Sequence, residues 1–417
     1  MRVVFVSAVF PPEREPSAVM AGELASALAA SGHQVLVITP FPNRSWGRIA
    51  DGYRRRVFER RKTAFERLMV PTWLLGKRRK WYNRLLENVT FGLASAAALL
   101  LSKSGDVLLL ETWPIAAEWL ASVAARLKGM PVINYRKDVY PEALVSAGFL
   151  REGSWIARRL VALDRVVLRR AARTIAISDS MADDLSRTRG IAKNRFEVVR
   201  DWLDLSCLRP SGEGGRWRER AGLPPGAFVC LFAGTMGYAS GVRSLAEAAS
   251  CLRHETDVYV VCVGDGAVKA QLEAIKTERA LSNLLLLPFQ PRDEVAACQS
   301  AADVLLLPTA AGMGTSSVPS KFITYLAMAR PVLCAVKADS EIARTVRGRS
   351  CGLVVEPEDG QAIARAIVEL KHLTVDQRRE MGRNARALAE ERHSMTRAVR
   401  EIEALIARVA GEDRLAS

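Results

Sequence analysis

The fold can be recognised from residues 228–266, FVCLFAGTMGYASGVRSLAEAASCLRHETDVYVVCVGDG. Two apolar runs, Phe228–Ala233 and Val258–Val263, are each followed at once by a glycine turn. Runs that are apolar at every position are typical of parallel strands buried on both faces of a sheet. A helical pattern between two such strands predicts a β-α-β unit, and therefore a parallel sheet covered by helices.

The same alternation of strands and helices runs along the rest of the chain. Further strands predicted in the first half are Val3–Ser7, Gln34–Thr39, Asp106–Glu111, Val132–Tyr135, Thr174–Ser178 and Phe196–Val199. Those predicted later are Leu284–Leu287, Val304–Leu307, Pro331–Ala335 and Gly352–Val355. The chain is thus predicted to form two doubly wound α/β domains.

Composition separates the two domains. Asp201–Pro225 is rich in Pro and Gly, which is typical of a linker. Near the end of the chain, Thr374 and Gln377 resemble a helix capping box. Two such sheets are expected to face each other across a cleft, with ligands at the carboxyl ends of the strands. The predicted parts are a first domain over 1–200, a linker over 201–225, a second domain over 226–374 and a helical tail over 375–417.

The composition also excludes several classes of protein. Of the 417 residues, 49% are hydrophobic and 25% are charged, which is ordinary for a globular protein. The longest apolar stretch, Phe91–Leu101, is about half of what a membrane-spanning helix needs. The start lacks a signal-peptide pattern, so we expect a cytoplasmic protein. The seven cysteines form no Cys-x-x-Cys pair and the four histidines have no ligand spacing, so we expect buried free thiols and no zinc site.

Positive charge is concentrated in one segment. Between Arg48 and Arg84 the chain has 13 Lys and Arg against three acidic residues, out of a net charge of +15. Cations mixed with Trp and Leu suit an anionic membrane surface. A solvated surface is the second interpretation, and a nucleic-acid surface is a third that lacks a recognised module. The residues expected at the membrane are Arg54, Arg55, Arg56, Trp73, Lys77, Arg78, Arg79, Lys80 and Trp81.

Glycine turns follow two strands of the second domain, at Gly234–Gly237 and Gly264–Gly266. Neither has the dinucleotide fingerprint or the phosphate-loop motif. Glycine lets a backbone approach a ligand closely, although tight packing of strand against helix explains these turns equally well.

A second pattern points more directly to an anion. Residues 312–321 read GMGTSSVPSK and end in Lys321, just before an apolar helical pattern at Phe322–Ala329. A lysine at a helix N-terminus is unfavourable with the helix dipole. We therefore predict that Lys321 faces a bound anion.

Short segments along most of the chain resemble one family. They are Phe10-Pro11-Pro12-Glu13, Asp138-Val139-Tyr140-Pro141-Glu142, Asp201-Trp202-Leu203-Asp204, Ala233–Gly237, Val263–Gly266, Ala302-Asp303-Val304 with Pro308, Val318-Pro319-Ser320-Lys321 and Met381–Arg386. In order and spacing they resemble retaining glycosyltransferases of family 4, in the bacterial branch that builds surface polysaccharides of the O-antigen and colanic-acid type.

The resemblance implies the GT-B fold, in which two Rossmann-like domains face each other across a cleft. It also implies a nucleotide-sugar donor, by default a UDP-sugar, on the second domain and an acceptor on the first, with no metal or other cofactor. Lys321 is implied to face the diphosphate, and Asp138 to accept or orient the acceptor's hydroxyl proton; a helix cap is the alternative for Asp138. The implied donor residues are Gly234, Thr235, Gly237, Gly264, Gly266, Lys269, Ser316, Val318, Pro319, Ser320 and Thr324. The implied acceptor residues are Pro12, Glu13, Ser17, Arg136 and Lys137.

The chain departs from the family's pattern at the donor site. Most members have two glutamates where this chain has Ser316 and Thr324, and the second usually holds the ribose hydroxyls. The usual Arg and Lys align with Thr235 and Ser240, and Lys137 stands where His is common. A carboxylate accepts two hydroxyls at once, whereas threonine does not. The donor is therefore expected to be held in a changed way.

Three hypotheses follow. The first is an active transferase that works on a lipid-linked acceptor at the inner membrane face. The second is a nucleotide-sugar-binding subunit without catalysis, which the missing glutamates suggest. The third is a GT-B epimerase, which would need acid and base side chains in the cleft and would release a free altered sugar instead of a glycoside.

Overall fold

The structure is a computed structural model that describes residues 1–13, 15–45, 47–54, 56–73, 81–112, 115–146, 150–312 and 318–416. The chain divides into two compact units. The first comprises Met1–Arg200 and Thr396–Ser417, and the second comprises Asp201–Met395. No helix within the described ranges is long and apolar enough to cross a membrane.

Strands and helices alternate through both units. The strands are β1 (Arg2–Ser7), β2 (Gln34–Pro40), β3 (Glu59–Lys62), β4 (Glu66–Val70), β5 (Val107–Thr112), β6 (Val132–Arg136), β7 (Arg173–Ala176), β8 (Phe196–Val198), β9 (Phe228–Ala233), β10 (Val258–Val263), β11 (Leu284–Leu287), β12 (Val304–Pro308), β13 (Val332–Ala335) and β14 (Gly352–Val355). The helices are α1 (Pro16–Ala30), α2 (Trp81–Leu101), α3 (Ile115–Leu127), α4 (Glu142–Ser146), α5 (Trp155–Arg170), α6 (Asp179–Arg189), α7 (Gly214–Arg220), α8 (Arg243–Cys251), α9 (Lys269–Glu278), α10 (Val295–Ser300), α11 (Ser320–Ala327), α12 (Glu341–Gly348), α13 (Gly360–His372), α14 (Val375–Arg392) and α15 (Met395–Ala416).

The first unit is built on an eight-stranded sheet in the order β3-β4-β2-β1-β5-β6-β7-β8. Neighbouring strands are parallel, except that β3 pairs with β4 antiparallel. The centre of the sheet is apolar: Val3, Val4 and Phe5 of β1 have no exposed surface. The predicted strands of this unit agree with the observed ones to within two residues at either end.

Strands β3 and β4 were missing from the sequence-based prediction. They lie inside the basic segment, where β3 reads ERRK and three of its four side chains are exposed. A short edge strand with charged side chains has neither the apolar run of a central strand nor a clear alternation. The basic segment therefore includes a β-hairpin at the edge of the sheet.

The second unit is built on a six-stranded sheet in the order β11-β10-β9-β12-β13-β14, with every pair parallel. Helices pack on both faces and form two apolar clusters, one around Leu231 and Tyr325 and the other around Phe232 and Ile367. All its strands were predicted to within one residue, because strands buried on both faces are apolar throughout. The two units are the predicted doubly wound α/β domains.

The predicted linker and tail differ from the observed structure. The segment 201–225 contains α7, whose Trp217 is buried in the core of the second unit. The tail forms two helices that belong to different units: α14 lies in the second, whereas α15 from Thr396 onward lies in the first. The capping box at Thr374 and Gln377 is present. The composition of residues 201–225 indicated a domain boundary but did not indicate α7, because a short helix depends on its tertiary contacts.

Five of the seven cysteines are buried and all seven are free thiols. Burial raises the pKa of the Cys262 and Cys298 thiols to about 12, so both are neutral near pH 7. Cys207 and Cys251 are exposed, in contrast to the expectation that all would be buried.

Candidate active site at the carboxyl ends of the second sheet

Two glycine turns meet where β9 and β10 end. The amide of Gly234 donates to the Val263 carbonyl, and the amide of Met236 donates to the Asp265 carbonyl, both at 2.8 Å. Gly264 has φ +146°, and a Cβ there would lie 2.0 Å from the Gly234 carbonyl oxygen. Glycine is therefore required at position 264, because the two turns are in direct contact. This contact supports the interpretation that the glycines allow tight packing.

Lys321 lies directly against the first of these turns. Its side chain crosses Gly234 so closely that a Cβ on that glycine would lie 2.1 Å from the Lys321 Cε. Its ammonium is 5.4 Å from the centre of the Phe232 ring. Burial lowers the pKa of Lys321, and among the described residues no carboxylate pairs with it. A cation held in this way is available to an anion.

Tyr325, four residues after Lys321 on α11, positions that helix. Its hydroxyl accepts from the Ala233 amide at 2.8 Å and donates to the Ala233 carbonyl at 3.2 Å. These bonds join α11 to the end of β9, and so place Lys321 over Gly234. The sequence-based prediction did not include Tyr325, although the spacing of four residues was visible in the apolar helix pattern.

The other predicted donor residues lie around this edge of the sheet. Lys269 is the first residue of α9, directly after the second glycine turn. The Thr324 hydroxyl donates to the Lys321 carbonyl at 2.9 Å, so its proton is used within the helix. Ser316 lies outside the described residues. Of the rest, Thr235 and Ser320 are exposed, whereas Gly237, Gly266, Val318 and Pro319 are partly exposed.

Glu13 is a structural residue of the first unit. Its side chain is 6% exposed, and its carboxylate accepts the backbone amides of Asn43, Arg44 and Ser45 at 2.6–2.8 Å. All of these bonds fix the loop after β2. Glu13 therefore holds this loop, and its assignment to the acceptor side stays a prediction. Pro12 is exposed and Ser17 is partly exposed near the start of α1.

Arg136 also makes structural ion pairs, and its predicted place on the acceptor side is not tested by them. It is 1% exposed at the end of β6 and pairs with Glu118 and Asp164, both at 2.7 Å. Asp164 in turn pairs with Arg189 at 2.6 Å, and Arg189 pairs with Glu142 at 2.7 Å. These five side chains form an ion cluster in which four are buried and Glu142 is about half exposed. Sequence reasoning missed this buried ion cluster because its members are far apart in the chain.

The ion cluster supports the segment that carries Asp138. Arg189 donates to the Tyr140 carbonyl at 2.7 Å, two residues after Asp138. Asp138 is exposed, and α4 begins at Glu142. The Lys137 ammonium lies 2.8 Å from the Tyr135 hydroxyl and 4.1 Å from the centre of its ring. Asp138 is thus held at the carboxyl end of β6 with an exposed side chain.

Two family models match most of the chain. Residues 17–202 match the glycosyl transferase 4-like domain, and residues 227–372 match the glycosyl transferases group 1 model. The chain belongs to the family 4 glycosyltransferases. Both the recognised family and the assignment as a glycosyltransferase are confirmed.

Individual relatives agree with this glycosyltransferase family. The Escherichia coli K12 protein WcaI, described as a colanic acid biosynthesis glycosyl transferase, is 24% identical over 90% of this chain and 94% of its own. Sucrose-phosphate synthase from Thermosynechococcus elongatus has a TM-score of 0.75 at 16% identity, over 99% of this chain and 100% of its own. Anabaena HepE, solved in complex with UDP-glucose, has a TM-score of 0.70 at 15% identity, over 98% and 100% of the two chains. The solved structures share the GT-B fold predicted for this glycosyltransferase.

The basic segment of this glycosyltransferase is only partly described. Arg54 and Arg56 are exposed, and Trp73 is 44% exposed while its indole donates to Asn83. In the hairpin, two arginines are paired with glutamates, so part of the positive charge is neutralised locally. Arg55, Lys77, Arg78, Arg79 and Lys80 lie outside the described residues, as does the side chain of Trp81. A membrane role for this segment stays a prediction.

Proposed function

We propose that this glycosyltransferase moves a sugar from a nucleotide-sugar, by preference a UDP-sugar, to a lipid-linked or polysaccharide acceptor in the synthesis of a cell-surface glycan. The contact of Lys321 with Gly234 carries the proposal, because it places a cation that has no acidic partner among the described residues beside the turn that follows β9. The description of WcaI supports the surface-glycan context, and the complex of HepE supports a UDP-sugar donor.

In the proposed reaction the bond between the anomeric carbon and the diphosphate breaks. A bond from the acceptor oxygen to that carbon forms on the same face, so the anomeric configuration is retained. Negative charge grows on the leaving diphosphate, and the Lys321 ammonium and the first turn of α11 stabilise it. The acceptor hydroxyl loses its proton, for which the exposed carboxylate of Asp138 is the proposed receiver or orienting group. No metal takes part in this scheme.

Donor binding is tested by a thermal-shift screen of the whole protein against UDP, GDP, ADP, dTDP and their sugar conjugates. A ligand that binds only the folded state raises the Tm by mass action. We expect a UDP-sugar to raise the Tm of the wild type and of Lys276→Ala, a lysine in the last turn of α9. Lys321→Met keeps the aliphatic stem but removes the charge, and should abolish the shift. A full shift in Lys321→Met would remove this lysine from the site.

A second candidate function is nucleotide-sugar binding without catalysis, as a subunit of a polysaccharide assembly. Thr324 favours it, because its single hydroxyl donates to the Lys321 carbonyl at a position where the family resemblance implies a glutamate. Binding with no release of nucleotide in the presence of acceptor would support this candidate. Release of nucleotide with formation of a glycoside would exclude it, and a free altered sugar would indicate an epimerase.

We also propose that the protein works at the inner face of the membrane, where a lipid-linked acceptor would be held. The positive net charge supports attraction to anionic lipids. Sedimentation with anionic vesicles tests this location.

A further inference from the structure

Helix α2 has apolar residues on two opposite faces. After Glu87 it carries no charged residue up to its end at Leu101. Phe91, Ala98 and Leu99 are buried in the core of the first unit. A helix that is apolar all round is normally buried all round. In α2, however, one face is open: Leu86, Val89, Leu93 and Leu100 are 40%, 36%, 56% and 47% exposed.

Helices α3 and α5 continue this open face. The connections from β4 to β5, from β5 to β6 and from β6 to β7 all run in the same direction along the strand order of the sheet. Right-handed crossovers therefore place α2, α3 and α5 on the same side. Helix α3 contacts both of the others, and meets α2 so closely that a Cβ on Gly92 would lie 2.8 Å from the Ala117 Cα. Trp119 and Leu127 of α3 and Trp155 of α5 are exposed. We call the exposed side chains of these three helices the α2–α3–α5 face.

The charges of the α2–α3–α5 face have one sign. Each helix has a single acidic residue, and all three are buried in ion pairs: Glu87 with Arg44, Glu118 with Arg136, and Asp164 with Arg136 and Arg189. The charged side chains that these helices expose, within the described residues, are all arginines. They are Arg126, Arg158, Arg159, Arg165, Arg169 and Arg170.

We propose that the α2–α3–α5 face binds the surface of a bilayer that contains anionic phospholipids. Leucine and tryptophan side chains enter the boundary between headgroups and acyl chains, and the arginines pair with lipid phosphates. The inference rests on the proposed function for its biological setting, but moves the main membrane contact from the segment 48–84 to these three helices. A second copy of the chain fits less well, because two such faces would bring arginines of like charge together.

Sedimentation with vesicles of phosphatidylcholine alone, or of an equal mixture with phosphatidylglycerol, tests the proposal. The wild type should bind the mixed vesicles and not the neutral ones. Leu93→Glu should lower partitioning by at least about tenfold, because it places a charge among apolar side chains that enter the lipid. Arg165→Ala with Arg169→Ala should lower it by about 25-fold, since each cation contributes about fivefold. Val375→Glu and Arg365→Ala make the same kinds of change at exposed residues of the second unit, and should bind as the wild type does.

Trp119 reports the contact directly. Vesicles with brominated acyl chains should quench part of the tryptophan fluorescence of the wild type, and less of it in Trp119→Phe. Circular dichroism and the Tm show that the variants fold, which the exposure of Leu93 leads us to expect. Normal binding by Leu93→Glu, together with lost binding when Lys77–Lys80 are neutralised, would overturn the proposal in favour of the basic segment. A smaller oligomer in Leu93→Glu, measured by light scattering, would instead identify an interface between copies.

The donor-induced Tm shift, measured on the same preparations, separates this inference from the proposed function. Vesicle binding without any donor-induced change in Tm would support the membrane face and count against sugar transfer. A nucleotide shift without vesicle binding would support the donor site and refute the membrane face.

Discussion

At the residue scale, the candidate site depends on contacts that leave no room for other side chains. Lys321 is placed over Gly234 by Tyr325, and the turn at Gly234 is itself held by the turn at Gly264. Burial of the ammonium, which has no acidic partner within the described part of the chain, costs stability, and a bound diphosphate would offset that cost. We therefore expect that the site favours ligand binding, and that the protein without ligand is less stable as a result.

The pH dependence of Lys321 tests this argument. Burial lowers the pKa of Lys321 in the folded state below its ordinary value of 10.5, so the cost is present in full at neutral pH. As pH rises through the lowered pKa, the folded state releases the proton before the unfolded state does, and stability increases. We expect Lys321→Met to be more stable than the wild type at pH 7, with the difference shrinking toward about pH 10. Urea unfolding at several pH values measures it.

Donor turnover should follow the opposite trend over the same pH range. Loss of the Lys321 charge weakens binding of the diphosphate, so wild-type kcat/KM should fall where the lysine titrates. Lys321→Met should be about a hundredfold less active at neutral pH and should lack this fall. An identical alkaline fall in both proteins would assign the titration to another group.

Gly264 provides a second prediction at this scale. Gly264→Ala should lower the free energy of unfolding by roughly 1–3 kcal/mol or more, because the residue has φ +146° and its Cβ would meet the Gly234 carbonyl oxygen. Gly237→Ala is the matched control, since that backbone is extended and a Cβ there has no neighbour within 4 Å. Equal stability of the two variants would contradict the close contact of the turns.

At the scale of elements, the buried ion cluster links α3, β6, α5 and α6 to the segment that carries Asp138. Partial burial raises the pKa of Glu142, but the Arg189 guanidinium outweighs burial, and the pKa of this carboxyl ends below its usual value. Its contribution to stability is present above the ordinary pKa and is lost as pH falls through the lowered one. None of these pairings is visible in local patterns, because their partners come from separate elements.

Arg189 is the residue through which the cluster is best tested. Arg189→Ala leaves Asp164 with one partner fewer in a buried site, and should destabilise the protein by about 3–5 kcal/mol. It also frees the Tyr140 carbonyl, so kcat should fall through movement of the Asp138 segment. Arg187→Ala, an exposed arginine on the same helix, should change neither quantity. A stable but inactive Arg189→Ala would mean that the arginine contacts substrate instead.

At the scale of the whole molecule, the chain passes between the units twice. It leaves the first unit after Arg200 and returns at Thr396. Near these two points Leu203 forms a bridge with Ser394, and the His393 ring is 2.7 Å from the Asp201 carbonyl. Helix α15 then forms ion pairs with Arg173 and Glu197 of the first unit, and its Glu403 lies 3.9 Å from the His33 ring.

The placement of α15 in the first unit predicts which unit a destabilising substitution in this helix will affect. Ile406 has no exposed surface, so Ile406→Ala should cost about 2–5 kcal/mol. Hydrogen exchange should show reduced protection in the first unit, while protection in the second unit stays close to that of the wild type. Arg400→Ala, at an exposed position of the same helix, is the control. Reduced protection only in the second unit would contradict the division of the chain.

The amino-acid sequence alone was enough to predict the two doubly wound domains, the family and the positions of the glycine turns and Lys321. These features can be predicted from local patterns. Central strands are apolar throughout, and turns and helix starts depend on residues that are adjacent in the sequence. Tertiary structure decided the rest. It paired the charged edge strands β3 and β4, sent α15 back to the first unit, and buried Glu13 and Arg136 in structural bonds. It also left one apolar face of α2 open. Each of these outcomes depends on contacts between residues that are distant in the chain, and local sequence patterns do not predict such contacts.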